Sequence, residues 1–113
     1  MGKMKEKLDQ IHNSLAMLRK EYPDATLGFV NFMERVGKKG ALDPKTKELI
    51  AVALAIVCQC DWCIAFHVDA ALKAGATKDE LMEAGFEAVL MGGGPALMYM
   101  QPMVQAIEEF SKK

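Results

Sequence analysis

Behind an Asp43-Pro44 pair, the ten residues from Leu49 to Cys58 carry no charged or amide side chain, and this run narrows the fold more than any other feature. Aspartate at the N-cap and proline at the first helical position are the favoured start of an α-helix. A helix that is apolar on every side must be covered on every side. In a chain of 113 residues, that predicts a central core helix and hints at a subunit interface as well. The run is too short to span a bilayer, which takes about 20 residues.

The flanking segments also read as helices. From Lys3 to Lys20, Leu8, Ile11, Leu15 and Leu18 recur at helical spacing between charges. Tyr22-Pro23-Asp24 ends that helix, because a proline disfavours helical geometry in the residue before it. A second helix is expected from Asp24 or Ala25 to Val36. Its apolar positions are dense enough to predict cover on more than one side, and Gly37-Lys38-Lys39-Gly40 stops it. Beyond the core helix, a segment begun by the cysteine stretch runs to Ala74 and is stopped by Gly75. Thr77-Lys78-Asp79-Glu80 is a capping box. The helix it starts shows one stripe of Leu81, Met82, Gly85, Phe86, Val89 and Leu90. Gly92-Gly93-Gly94-Pro95 breaks it, and the last helix spans Ala96 to Phe110, with Pro102 a kink or boundary. No alternation of the strand type occurs. The expectation is an all-α fold of about six helices in a single domain, 1–113.

Charge and composition remove several function classes. The formal net charge is −1 and no face is loaded with one sign, so neither nucleic acid nor a membrane surface is an expected partner. No apolar leader with a small-residue cleavage site follows the N-terminal lysines, and the protein is expected to be soluble and cytoplasmic. Three cysteines within six positions are not the scattered framework of a secreted mini-protein. In a reducing compartment such a cluster serves redox or metal chemistry more often than structural cross-linking. The nine methionines read as core filler. The glycine run lacks the Gly-Lys-Ser/Thr of a phosphate loop.

The chemistry concentrates in Cys58-Gln59-Cys60-Asp61-Trp62-Cys63-Ile64-Ala65-Phe66-His67. On a helix, residues three and four apart are neighbours, so Cys60, Cys63 and His67 are expected on one face. A Cys-x-x-Cys pair can close a disulfide with modest distortion. Its reactive form is the thiolate, which a helix N-terminus favours. His67 is placed to take or return a proton of Cys63. Glu48, on the preceding helix, can orient that histidine. Each residue also has a plainer reading: His67 as a hydrogen-bonded helix histidine, Glu48 as a solvated carboxylate, Cys58 as a buried small hydrophobe and Trp62 as packing.

With these residues, the chain resembles the carboxymuconolactone decarboxylase superfamily, in its alkyl hydroperoxidase D (AhpD-like) branch. That branch is marked by a glutamate, eleven intervening residues, then Cys-x-x-Cys-x-x-x-His; Glu48, Cys60, Cys63 and His67 fit at every spacing. The likeness runs from about Leu42 to Tyr99. It implies a compact helical subunit in a homo-oligomer, often a hexamer built as a trimer of dimers. It also implies a peroxidatic role for Cys63, a resolving role for Cys60, and a proton relay through Glu48 and His67. The implied activity is reduction of alkyl hydroperoxides, with a thioredoxin-like or lipoyl-type thiol donor and no cofactor. One departure stands out: characterised members of the branch carry a histidine just before the second cysteine, where this chain has Trp62. Such a relay leaves the thiol less activated, and Trp62 can instead shape an apolar substrate pocket. The decarboxylase branch itself lacks the cysteine pair, so lactone chemistry is not expected.

Two other readings remain at this level. Cys58, Cys60, Cys63 and His67 number four potential zinc ligands, although one continuous helix would set Cys58 on another side from Cys63. A redox sensor whose disulfide changes assembly is the other.

Overall fold

The computed structural model describes residues 2–111, all of whose regular elements are helices. They are α1 (Lys3–Glu21), α2 (Pro23–Gly37), α3 (Pro44–Val57), α4 (Asp61–Lys73), α5 (Lys78–Gly92) and α6 (Gly94–Ser111). Helices α3 to α6 pack as a four-helix core in which α3 and α6 each touch α4 and α5. Helix α1 lies against α4 and α6, and α2 packs mainly on α1. The largest wholly buried side chains are Val52 and Ile56 of α3, Ile64 and Val68 of α4, Leu81 of α5 and Met103 of α6. Each contributes about 1.5–3 kcal/mol of burial, so these six residues tie the four helices into one core.

Local chemistry sets the ends of the helices. The Asp43 carboxylate accepts the Thr46 N–H at 2.8 Å, and this hydrogen bond holds its pKa below the ordinary value. Thr77 and Glu80 form the full capping box: Thr77 Oγ1 accepts the Glu80 N–H at 3.1 Å and Glu80 Oε1 accepts the Thr77 N–H at 2.9 Å. The Thr77 N–H, then the Lys45 ammonium at 2.9 Å, keep the Glu80 carboxyl below its usual range. That ammonium also joins the start of α3 to the start of α5. Helix α1 has no capping side chain of its own. Instead Glu109, from the far end of α6, accepts the N–H groups of Met4 and Lys5. The last carbonyls of α2 are met by Lys47 Nζ, 2.8 Å from the Val36 oxygen.

Three expectations change. The apolar run of α3 is not covered on every side within this chain: Val52, Ala55 and Ile56 are buried, while Ile50, Leu54 and Val57 are exposed. Helix α2, expected to be covered on more than one side, leaves Leu27, Phe29, Phe32 and Val36 exposed, because little beyond α1 packs on it. On α5 the buried stripe is Leu81, Gly85 and Ala88; Phe86 and Leu90 face outward. At Gly85 a Cβ would stand 2.9 Å from the Met100 Cε, so α6 crosses α5 at that glycine. Pro102 sits inside α6 without ending it.

The turn between α5 and α6 depends on Gly93, at φ 70° and ψ −151°, a region open to little but glycine. Gly93→Ala is expected to lower unfolding stability by about 1–3 kcal/mol, read from urea denaturation. Gly28→Ala is the control. It lies within α2 with nothing within 4 Å of its added Cβ, and it should leave stability equal or higher by up to ~1 kcal/mol.

Candidate active site

A tight turn delivers the cysteines. Helix α3 ends at Cys58, and Gln59 follows at φ 57°, the one non-glycine residue in the left-handed region among those described. The Gln59 N–H bonds back to the Ile56 oxygen and the Cys60 N–H to the Ala55 oxygen, the paired closure of a Schellman motif, where glycine is the usual central residue. The chain thereby reverses within three residues and begins α4 at Asp61. Cys60 is accordingly not on the helix with Cys63, as the spacing predicted, but caps it in extended geometry. Its sulfur accepts the Cys63 N–H at 3.1 Å. The two sulfurs nevertheless meet, in a Cys60–Cys63 disulfide with Cα atoms 5.2 Å apart. A sulfur at this position faces the unpaired N–H groups and positive end of the helix dipole, which stabilise a thiolate.

Cys58 is corrected outright. It was expected to be buried, yet it is exposed and free, because the helix terminates there and the reversing turn leaves it on the outer edge. It does not converge with the other three candidate ligands. Among the described residues no three His, Cys, Asp or Glu side chains are grouped to hold a metal ion, and no helix is long and apolar enough to cross a membrane.

The structure brings Glu48 and His67 together. Glu48 Oε1 lies 2.7 Å from His67 Nδ1, joining α3 to α4, with about a quarter of each side chain exposed. A carboxylate only accepts, so Nδ1 carries the proton. In the neutral ring Nε2 is then the atom with a free lone pair, the basic atom of the imidazole. Phe66 packs edge-on to the same ring, centroids 5.1 Å apart.

Cys63 and His67 share the wall of a cleft of about 310 Å³. Ile11 and Leu15 of α1, Phe29 and Met33 of α2, and Trp62 and Phe66 of α4 make up the rest of its lining. Cys60 and Glu48 are not part of its lining; of the pair, Cys63 is the exposed residue and Cys60 the half-buried one. Trp62 is held from α1, its Nε1 donating to Gln10 Oε1 at 2.8 Å and the Lys7 ammonium lying 4.2 Å from the ring centroid. Beside Cys60, Asp61 keeps one carboxylate oxygen buried with no hydrogen-bond partner. The contributions of Ile11, Leu15, Phe29 and Met33 escaped the sequence reading. The signal available was the surplus of apolar residues on α1 and α2, with no partner named for it.

The sequence model of the carboxymuconolactone decarboxylase family matches residues 23–106. An uncharacterized protein of Cupriavidus necator is 38% identical over 96 residues, which is 85% of each chain. Among solved structures, a carboxymuconolactone decarboxylase family protein from Legionella pneumophila superposes with a TM-score of 0.96 at 47% identity, covering 99% of this chain and 100% of that one. A family member from Thermotoga maritima gives 0.83 at 30% identity over 93% and 90% of the two chains.

The thiol inventory is open to direct measurement. Native oxidised protein should present one titratable thiol per chain to a colorimetric disulfide reagent, from Cys58, and all three after reduction. Cys58→Ser should bring the native count to zero; an unchanged count would place the free thiol elsewhere.

Proposed function

The chain belongs to the carboxymuconolactone decarboxylase family, and on that premise we propose that it is a thiol-dependent peroxidase that cycles through the Cys60–Cys63 disulfide. The observation that carries this reading is the 2.7 Å contact between Glu48 and His67, one turn of helix from a redox-capable cysteine that opens on a cleft. The Thermotoga maritima relative, for which involvement in an antioxidative response has been suggested, supports the same direction.

In the proposed cycle, His67 Nε2 takes the Cys63 thiol proton while Glu48 steadies the imidazolium at Nδ1. The Cys63 thiolate attacks the terminal oxygen of a hydroperoxide. The O–O bond breaks, the alcohol leaves with the proton that His67 returns, and Cys63 becomes a sulfenic acid. The Cys60 thiolate, favoured at the start of α4, attacks that sulfur and displaces hydroxide, which departs as water. An external dithiol, thioredoxin-like or lipoyl-type, then supplies two electrons by disulfide exchange and returns both cysteines to thiols. A reducing, cytoplasmic setting fits that last step.

A homo-oligomer, a hexamer assembled as a trimer of dimers, is proposed as the working form. It is supported by the bare apolar residues Ile50, Leu54 and Val57 of α3 and Phe86, Leu90 and Met91 of α5, since contiguous exposed apolar surface marks interaction sites.

The test mixes fully reduced protein with hydroperoxide in the absence of donor and follows free thiols. Two thiols per chain should disappear for one peroxide consumed, with none lost in Cys63→Ser. Glu48→Gln should slow the step by roughly 10²–10⁴-fold, the range of general-base contributions. Reduced wild-type protein that leaves the peroxide untouched would rule the activity out.

A further inference from the structure

Beside Cys63, the cleft is built from hydrocarbon and aromatic side chains. Apart from the thiol and the His67 imidazole, its lining is Ile11, Leu15, Phe29, Met33, Trp62 and Phe66. Its volume of about 310 Å³ lies at the small end of small-molecule sites, roughly 300–1,000 Å³. Trp62 also borders a second groove with Gln10, Ile11, Ser14 and Leu15, so with Ile11 and Leu15 of α1 it stands at the boundary between the two. That ring is pinned by the Gln10 hydrogen bond and the Lys7 ammonium. Neither Lys7 nor Gln10 lines the cleft; their effect on it passes through the orientation of Trp62.

We infer that Trp62 is the specificity-determining residue of this site, shaping it for neutral, compact hydroperoxides with a branched alkyl or arylalkyl group, and that Gln10 and Lys7 are its positioning residues. The inference rests on the peroxidase reading and adds the residues that select among alkyl hydroperoxides. The physical ground is unequal burial. Hydrogen peroxide has no apolar surface to withdraw from water, whereas an arylalkyl group gains with each carbon the wall covers. No lysine or arginine lines the cleft to hold a carboxylate head group, and the one imidazole there, His67, is already paired with the Glu48 carboxylate, which argues for a neutral substrate. Discrimination arises as the chemistry is approached, because the organic group must already be seated when Cys63 meets the terminal oxygen.

The experiment uses cumene hydroperoxide and hydrogen peroxide with reduced full-length protein, reading the ratio of their second-order rate constants. A ratio cancels any change in the reactivity of Cys63 itself. Wild type should favour cumene hydroperoxide. Trp62→Ala should lower the ratio by roughly tenfold or more, the scale of lost apolar contact in a specificity pocket. Gln10→Ala should lower it in the same direction by less. Phe29→Ala, which leaves the contacts of Trp62 with α1 in place, should lower it too and guards against a Trp62→Ala protein that fails to fold.

Binding gives a readout independent of turnover. Trp62 is the sole tryptophan, so its emission reports on the cleft. The product alcohol, 2-phenyl-2-propanol, should change that emission saturably in Cys63→Ser protein. Saturable binding without peroxide turnover would uphold the cleft assignment and sink the peroxidase reading. Turnover with no preference between the peroxides, a ratio indifferent to Trp62→Ala and Phe29→Ala, or no saturable emission change would overturn the inference while leaving the peroxidase reading standing.

Discussion

A carboxylate of α3 touching an imidazole of α4 is the contact on which the functional geometry depends. It fixes the tautomer of His67, and thereby which ring nitrogen is basic. It requires α3 and α4 to lie side by side in register, a condition met by the three-residue reversal through Cys58, Gln59 and Cys60 and by the buried residues Val52, Ile56, Ile64 and Val68. The same reversal sets Cys60 at the N-terminus of α4. One local turn therefore serves the packing of two core helices and the placement of both reactive sulfurs. The strained left-handed Gln59 lies at the centre of it, as strained backbone often does near reactive groups.

The two sulfurs sit in different surroundings. Cys63 is exposed, in the wall of an apolar cleft with His67. Cys60 is half-buried, outside the lining of that cleft, and its sulfur accepts a backbone N–H of the helix it caps. In the proposed cycle a base serves the first and a helix terminus the second. In disulfide exchange the exposed sulfur is the accessible target, and the sulfur at the helix terminus is the better leaving thiolate, since a stabilised thiolate leaves faster. The proposed roles, Cys63 peroxidatic and Cys60 resolving, draw on this asymmetry.

Much of this is legible in the sequence. Asp43-Pro44 and the Thr77–Glu80 box announced two helix starts because caps act within four residues of sequence, and both formed. Gly75 and the Gly92–Gly94 run announced the stops. The constellation of Glu48, Cys60, Cys63 and His67 was readable as a pattern, yet the pairing of Glu48 with His67 is a tertiary contact that local sequence alone did not favour. Exposure was read least well. Cys58 follows an apolar run but ends its helix on the outside of a turn, and hydropathy does not register where a helix stops. Phe86 and Leu90 on α5, like Ile50 and Leu54 on α3, look like core by composition and lie bare on a single chain. Trp62 was read mainly as packing; its bond to Gln10 joins residues 52 positions apart, beyond the reach of any local pattern.

The central claim is that Glu48 acts on Cys63 through His67, and a double-mutant cycle tests it most directly. The rate of peroxide attack by reduced protein is measured for wild type, Glu48→Gln, His67→Gln and the double variant. If the two residues form one relay, each single change removes most of the acceleration and the double variant is hardly slower than His67→Gln. Independent losses that multiply in the double variant, or a Glu48→Gln protein as fast as wild type, would contradict it.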